Sequence, residues 1–157
     1  MNQALNQLIK DIGLDEPENE RLRLQFGYDC AARVQHLLEE QEIADCLRGL
    51  GRFLDGAIDR AQLERLALEA ARLANQHQGS RSIDGCGHAA VSASYAVASA
   101  LAGKARQAAE YAAYASVYAQ GGYGAVTESE SFEPEFNWQS GHLAALIGVQ
   151  ATRVGGH

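Results

Sequence analysis

Apolar residues recur every three or four positions along most of this chain, a spacing that places them on one face of an α-helix. The first such run covers residues 1–12 and stops at Gly13, a residue suited to the left-handed turn that closes a helix. A polar linker, DEPEN, follows at residues 15–19, and a later run begins with the capping-box sequence DRAQ at residues 59–62. The pattern predicts four helices in this part of the chain, at residues 1–12, 20–41, 43–54 and 60–76.

The alanine-rich stretch from residue 85 to residue 120 is the most distinctive part of the sequence. Alanine has the highest helix propensity because its side chain loses no rotamer freedom when a helix forms. Gly103 interrupts the stretch, which therefore predicts two helices joined as a hairpin with closely approaching backbones. We expect Asp84 to cap the first helix and three glycines to end the second, namely Gly121, Gly122 and Gly124. Methyl groups offer no nucleophile, acid or metal ligand, so the stretch favours packing or recognition over catalysis.

A predicted loop, a distinct polar and aromatic segment and a last helix make up the rest of the chain. Residues 77–82, HQGSRS, predict a loop, and residues 126–138, VTESESFEPEFNW, form a distinct acidic and aromatic segment before a helix at 140–154. Together the elements predict an all-α fold, a single-domain irregular bundle of about six or seven helices with a central Ala-rich helical hairpin. The domain divides into an N-terminal helix and linker, a helical core, and the acidic-aromatic segment with the last helix, at residues 1–19, 20–120 and 121–157.

Composition and charge narrow the classes of function. The chain has 157 residues, 46% of them hydrophobic, which suffices for one domain with its own core. The formal net charge of −7 disfavours nucleic acid and anionic membranes as partners, because both require a surplus of Lys and Arg. The same charge favours a basic partner, although negative charge can also serve solubility alone.

Three features predict a cytoplasmic protein. The N-terminal residues lack the basic and apolar regions of a secretory signal, and no stretch approaches the roughly 18 apolar residues of a membrane span. The three cysteines, Cys30, Cys46 and Cys86, are odd in number and widely spaced, as expected of reduced thiols.

Candidate catalytic residues are few. Cys86 and His88 could act with His142, but zinc sites use paired spacings such as CxxC or HExxH, and adjacency alone does not create a Cys–His dyad. The glycine-rich segments lack the lysine and the strand of a phosphate-binding loop. We therefore expect no enzymatic activity, metal or cofactor, and we keep Cys86, His88 and His142 as the residues of an enzymatic alternative.

Two groups of residues are candidates for recognition. Tyr111, Tyr114 and Tyr118 share one helical face, where their rings either pack between helices or form a binding stripe. In the segment 128–138, glutamates would speed encounter with a basic partner and aromatic rings would supply contact area, unless the segment is a solvated loop with its rings on the core. The predicted partner-binding residues of this segment are Glu128, Glu130, Glu133, Glu135, Phe136 and Trp138.

Three runs of the sequence resemble a known family: FGYDCAARVQHLLEEQ, CLRGLGRFLDGAIDRAQLERLALEAARLANQ and GCGHAAVSASYAVASALAG. They are similar to the immunity protein 5-like group of bacterial polymorphic toxin systems, over roughly residues 26–120. The acidic-aromatic segment and the last helix lie outside the resemblance. The matching positions are Asp29, Cys30, Ala31, Arg33 and Val34 in the first run, Leu47, Leu50, Gly56, Ala57 and Ile58 in the second, and Gly87, His88, Ala89, Ala90, Ala93, Ala100 and Ala102 in the third.

The resemblance implies a cytoplasmic immunity protein of bacterial competition, which binds a cognate toxin domain, such as a nuclease, and blocks its active site. The partner would be a protein with a basic surface, and the chain would be a monomer or a homodimer. Asp29 and Arg33 are spaced i, i+4, so we expect them to form an ordinary ion pair within their helix. A second interpretation is a helical small-molecule-binding or regulatory module, with a cavity lined by Tyr95, Tyr111, Tyr114 and Trp138.

Overall fold

The computed structural model describes residues 2–76 and 86–155, with side chains over 2–76 and 87–150. Over these residues the chain forms helices, 3₁₀ turns and loops and contains no β-strand, which confirms the all-α, single-domain fold. None of the helices in these ranges is both long enough and apolar enough to cross a lipid bilayer. The α-helices are α1 (Gln3–Ile12), α2 (Glu20–Ala32), α3 (Gln41–Leu54), α4 (Arg60–Gln76), α5 (Cys86–Leu101), α6 (Ala105–Val126) and α7 (Glu133–Gly155).

Local capping signals define the first and fourth helices, as the sequence predicts. The backbone N–H of Leu5 donates to the Asn2 side chain at the start of α1, and Gly13 closes this helix with a φ of 66°. At the start of α4, the backbone N–H of Gln62 donates to Asp59 Oδ1, while the backbone N–H of Asp59 donates to Gln62 Oε1. This reciprocal pair is the predicted capping box.

The second helix is shorter than predicted. α2 ends at Ala32 instead of residue 41, and a 3₁₀ turn over Gln35–Leu37 leads to an extended connection before α3. Val34, the residue before the turn, is buried in the core, and Leu37, three residues later at the end of the turn, packs partly buried against it. Because a 3₁₀ turn also brings every third side chain to one side, the apolar spacing does not reveal where the α-helix stops.

The predicted alanine-rich hairpin is confirmed. α5 and α6 pack against each other through alanines, and Gly103 adopts a φ of 75° in the turn between them. α5 also packs on α2, α3 and α4, so it lies at the centre of the bundle. The predicted loop at 77–82 and the predicted cap at Asp84 lie outside the described residues.

The glycine-rich end of α6 differs from the prediction. The helix extends to Val126, and of the three glycines expected to end it only Gly122 leaves helical geometry, with φ 63° and ψ −152°. This combination of angles is essentially restricted to glycine, and it puts a kink in the helix. The kink sets the direction in which the chain enters the acidic-aromatic segment.

The last helix also begins earlier than predicted. A 3₁₀ turn over Ser129–Phe132 runs directly into α7, which starts at Glu133 instead of Ser140. Pro134 is compatible with this start because the first helical turn does not need its backbone N–H. Glutamates in this turn are stabilised by the helix dipole, so a segment with the composition of a loop is helical.

Candidate functional site

Three aromatic rings meet where α6, the last 3₁₀ turn and α7 come together. The ring of Tyr114 contacts the ring of Phe132 edge-on, with centroids 5.1 Å apart and an interplanar angle of 75°. The ring of Phe136 stacks on Phe132 at 5.4 Å and 29°. Phe132 is buried, Phe136 is half-buried and Tyr114 is 44% exposed, so the cluster extends from a small apolar core to the surface.

A small cavity opens beside these rings. It has a volume of about 90 Å³ and is lined by Glu110, Tyr114, Phe132 and Phe136, and we call it the Glu110 pocket. Glu110 lies one turn before Tyr114 on α6, so the two residues share a helical face and line the same pocket. Sequence reasoning missed Glu110, although its i, i+4 spacing from Tyr114 was visible in the sequence.

The predicted partner-binding glutamates do not form one group. Glu128, Glu130 and Glu133 are exposed. Glu128 precedes the 3₁₀ turn, Glu130 lies within it, and Glu133, directly after Phe132 in the chain, is the first residue of α7. Glu135 instead is only 7% exposed, and its two carboxylate oxygens accept hydrogen bonds from Arg33 at 2.8 and 2.9 Å. The prediction that Glu135 presents a free charge to a partner is therefore wrong, because that charge is buried and neutralised inside the protein.

Trp138 also belongs to the contact between α2 and α7. The guanidinium of Arg33 lies over the Trp138 ring, 3.9 Å from its centroid, and the ring of His142 stacks on Trp138 at 4.5 Å and 13°. Trp138 is half-buried, and Phe136, the remaining predicted anchor, belongs to the Glu110 pocket instead. The two predicted aromatic anchors thus belong to two different clusters.

The prediction of an ion pair between Asp29 and Arg33 is wrong. His142 Nε2 lies 2.7 Å from Asp29 Oδ2, and the other carboxylate oxygen of Asp29 accepts a hydrogen bond from Gln25 at 2.9 Å. Arg33 is engaged by Glu135, and that hydrogen-bonded carboxylate raises the pKa of the guanidinium. Both side chains reach across to α7, and we call the resulting set the α2–α7 network: Asp29, Arg33, Glu135, Trp138 and His142.

The predicted tyrosine stripe lies on the surface of α6, and each of its rings contacts another aromatic ring. Tyr111 is 37% exposed and stacks on Tyr95 of α5 at 5.2 Å. Tyr118 lies 6.4 Å from Tyr114 and therefore adjoins the aromatic cluster. The structure thus brings two separately predicted surfaces together at Tyr114, while the use of the stripe in recognition stays a prediction.

The residues of the enzymatic alternative, Cys86, His88 and His142, are not brought together among the described side chains. His88 stacks on Tyr118 at 5.3 Å and contacts Tyr123 edge-on, whereas His142 belongs to the α2–α7 network. The side chain of Cys86 lies outside the described residues. Within the described part of the chain, no three His, Cys, Asp or Glu side chains are grouped so that they could hold a metal ion.

The interpretation as a small-molecule-binding module requires a cavity in which Trp138 lies beside Tyr95, Tyr111 and Tyr114. Its ring contacts are instead Arg33 and His142, while Tyr95 and Tyr111 stack on each other and Tyr114 contacts Phe132. These ring contacts assign the four residues to separate clusters on the molecule.

Comparison of the chain with protein-family models, with curated proteins and with solved structures found no match.

Proposed function

We propose that this chain is an immunity protein that binds a basic surface of a toxin domain and blocks its active site. The binding surface is the α6–α7 face, which we define as the Glu110 pocket together with Glu128, Glu130 and Glu133. The observation that carries the proposal is that three exposed glutamates stand close in the chain to Phe132, whose aromatic cluster is itself open to solvent. The toxin as partner comes from the family resemblance of residues 26–120.

Charge and aromatic surface contribute differently to such an interface. Exposed glutamates on a chain of net charge −7 would steer a basic partner and raise the association rate. Aromatic rings would hold the complex, because tyrosine and tryptophan provide much of the binding energy at many interfaces. Tyr114 and Phe136 already contact Phe132, so little side-chain freedom would be lost on binding.

The proposal includes a cytoplasmic location and no catalytic activity. A toxin that attacks an intracellular substrate must be neutralised where that substrate lies, so the immunity protein and the toxin share the compartment. A nuclease is a suitable target because its substrate cleft carries the basic charge that the α6–α7 face would attract. The same measurements that test binding give the stoichiometry and distinguish a monomer from a homodimer.

The test takes the C-terminal domain encoded immediately upstream of this chain as the candidate toxin and measures the affinity and salt dependence of their complex. One triple variant reverses the charge of the flanking glutamates: Glu128→Lys, Glu130→Lys and Glu133→Lys. A matched control reverses three other exposed glutamates: Glu18→Lys, Glu42→Lys and Glu64→Lys. Both variants change the net charge equally, so a difference between them reports position and not total charge. Circular dichroism and thermal unfolding verify that both variants are folded.

We expect the first variant to slow association at low salt by about tenfold or more, and to flatten the dependence of the association rate on salt. The control variant should show a smaller effect, because its charges act on the partner only from a distance. Equal affinities and equal salt dependences for the two variants would remove the α6–α7 face as the binding surface.

A further inference from the structure

We propose that the Glu110 pocket receives an arginine side chain of the bound partner. This inference rests on the proposed function, since the arginine belongs to the partner described there. The pocket of about 90 Å³ suits a single side chain, whereas clefts for small-molecule ligands measure roughly 300–1,000 Å³. Its lining of one carboxylate and three aromatic rings is the combination that attracts an organic cation.

The protein already contains an arginine in surroundings of this kind. The guanidinium of Arg33 lies over the ring of Trp138 at 3.9 Å, and Glu135 accepts two hydrogen bonds from it. An aromatic face and a glutamate therefore hold a guanidinium within this fold. The Glu110 pocket offers a similar pair of groups, and no basic side chain is among the residues that line it.

The rings of the pocket present surfaces in two directions. Phe132 and Phe136 are nearly parallel, at 29°, whereas Tyr114 is turned by 75° relative to Phe132. A flat cation can stack on one ring while its edge approaches another, which a spherical ammonium group cannot do as well. Phe132 is held in the small core beneath the pocket, so the arrangement exists before binding.

The carboxylate of Glu110 supplies the charge. Glu110 is half-buried, and within the described parts of the chain its side chain has no hydrogen bond or ion pair. Arg106, one turn earlier on α6, is exposed and does not line the pocket. A guanidinium can give a carboxylate two parallel hydrogen bonds and also stack on a ring, so arginine fits this site better than lysine.

The first test uses ethylguanidinium chloride as the probe and follows the full chain by NMR. We expect saturable shifts of the ring resonances of Tyr114 and Phe136 and of the Glu110 carboxylate carbon, beyond those in sodium chloride at equal ionic strength. Glu110→Gln should weaken this binding at least fivefold, whereas Glu18→Gln, at an exposed glutamate outside the α6–α7 face, should leave it unchanged. Ethylammonium should bind more weakly. Shifts identical to those in sodium chloride, or unchanged binding by Glu110→Gln, would overturn the inference.

The second test uses the complex with the toxin domain. We expect Glu110→Gln to lower the affinity for the toxin by about tenfold or more. When the toxin arginine that enters the pocket is replaced by alanine, Glu110→Gln should no longer change the affinity. A complex whose affinity is unchanged by Glu110→Gln would overturn this inference and leave the proposed function intact. Binding of ethylguanidinium without any complex would support the pocket as a guanidinium site and overturn the proposed function.

Discussion

His142 Nε2 lies 2.7 Å from Asp29 Oδ2, although 113 residues separate the two side chains in the sequence. Together with the ion pair between Arg33 and Glu135, this contact fixes α7 against α2. The same helix carries Phe136, which closes the Glu110 pocket. The α2–α7 network therefore acts as the support that positions one side of the α6–α7 face.

Removing Arg33 should destabilise the protein because it leaves a buried carboxylate without a partner. We expect Arg33→Ala to lower the free energy of unfolding by about 2–3 kcal/mol, since Glu135 is almost fully buried. Arg48→Ala is the matched control, because its ion pair with Asp45 is exposed and should contribute little to stability. Urea unfolding followed by the fluorescence of the single tryptophan, Trp138, measures both. Equal effects of the two substitutions would contradict the structural role of the pair.

The contact between Asp29 and His142 should appear as a coupling energy. The single substitutions Asp29→Ala and His142→Ala each remove the contact, so the double variant should lose less stability than the sum of the two. We expect a coupling of about 0.5–2 kcal/mol. His142→Ala also removes the stack on Trp138, which the cycle subtracts because that loss occurs in both arms. Strictly additive losses would show that the two side chains do not interact in solution.

Gly122 should tolerate no side chain, whereas Gly124 should accept one. The backbone angles of Gly122, φ 63° and ψ −152°, are essentially restricted to glycine. Gly122→Ala should therefore lower the free energy of unfolding by about 1–3 kcal/mol. Gly124 has open space where a Cβ would be, and it is not among the glycines with positive φ. Gly124→Ala should therefore be neutral or stabilising by up to about 1 kcal/mol. Thermal unfolding of the two variants tests the kink, and a Gly122→Ala protein as stable as wild type would contradict it.

The buried thiol of Cys46 should make stability fall at alkaline pH. Burial raises its pKa from 9.0 to about 11, so between these values the unfolded chain loses the proton while the folded protein keeps it. The contribution is fully present below pH 9 and is lost as the pH rises to 11, with a slope of up to about 1.4 kcal/mol per pH unit. Unfolding of the wild type and of Cys46→Ala at several pH values measures this slope. The decline between pH 9 and 11 should be shallower in the variant, and parallel curves would exclude the shift.

Helices whose ends are set by local chemistry could be predicted from sequence. Gly13 and the capping box at Asp59 act within one turn of the chain, so their signals are complete in the sequence. The end of α2 and the start of α7 could not be located in this way. A 3₁₀ turn preserves the apolar spacing after Ala32, and Pro134 with its neighbouring glutamates is as compatible with a first helical turn as with a loop.

The candidate site could be predicted only in part, because its two halves meet through a change of chain direction. The tyrosine face of α6 and the aromatic residues after it are visible in the sequence as separate patterns. The kink at Gly122, which lies between Tyr114 and Phe132 in the chain, is not visible there, and neither is the contact between those two rings. The burial of Glu135 depends on Arg33, 102 residues away, and no local pattern distinguishes this glutamate from the exposed Glu133.

The most direct measurement of the central claim is survival of cells that express the neighbouring toxin domain together with this chain. We expect wild type and the control triple variant to restore growth, and the variant with Glu128→Lys, Glu130→Lys and Glu133→Lys to fail although it is folded and present at equal levels. Failure of the wild type to protect against a toxic domain would contradict the immunity function. Full protection by the folded Glu128→Lys, Glu130→Lys, Glu133→Lys variant would contradict the assignment of the α6–α7 face.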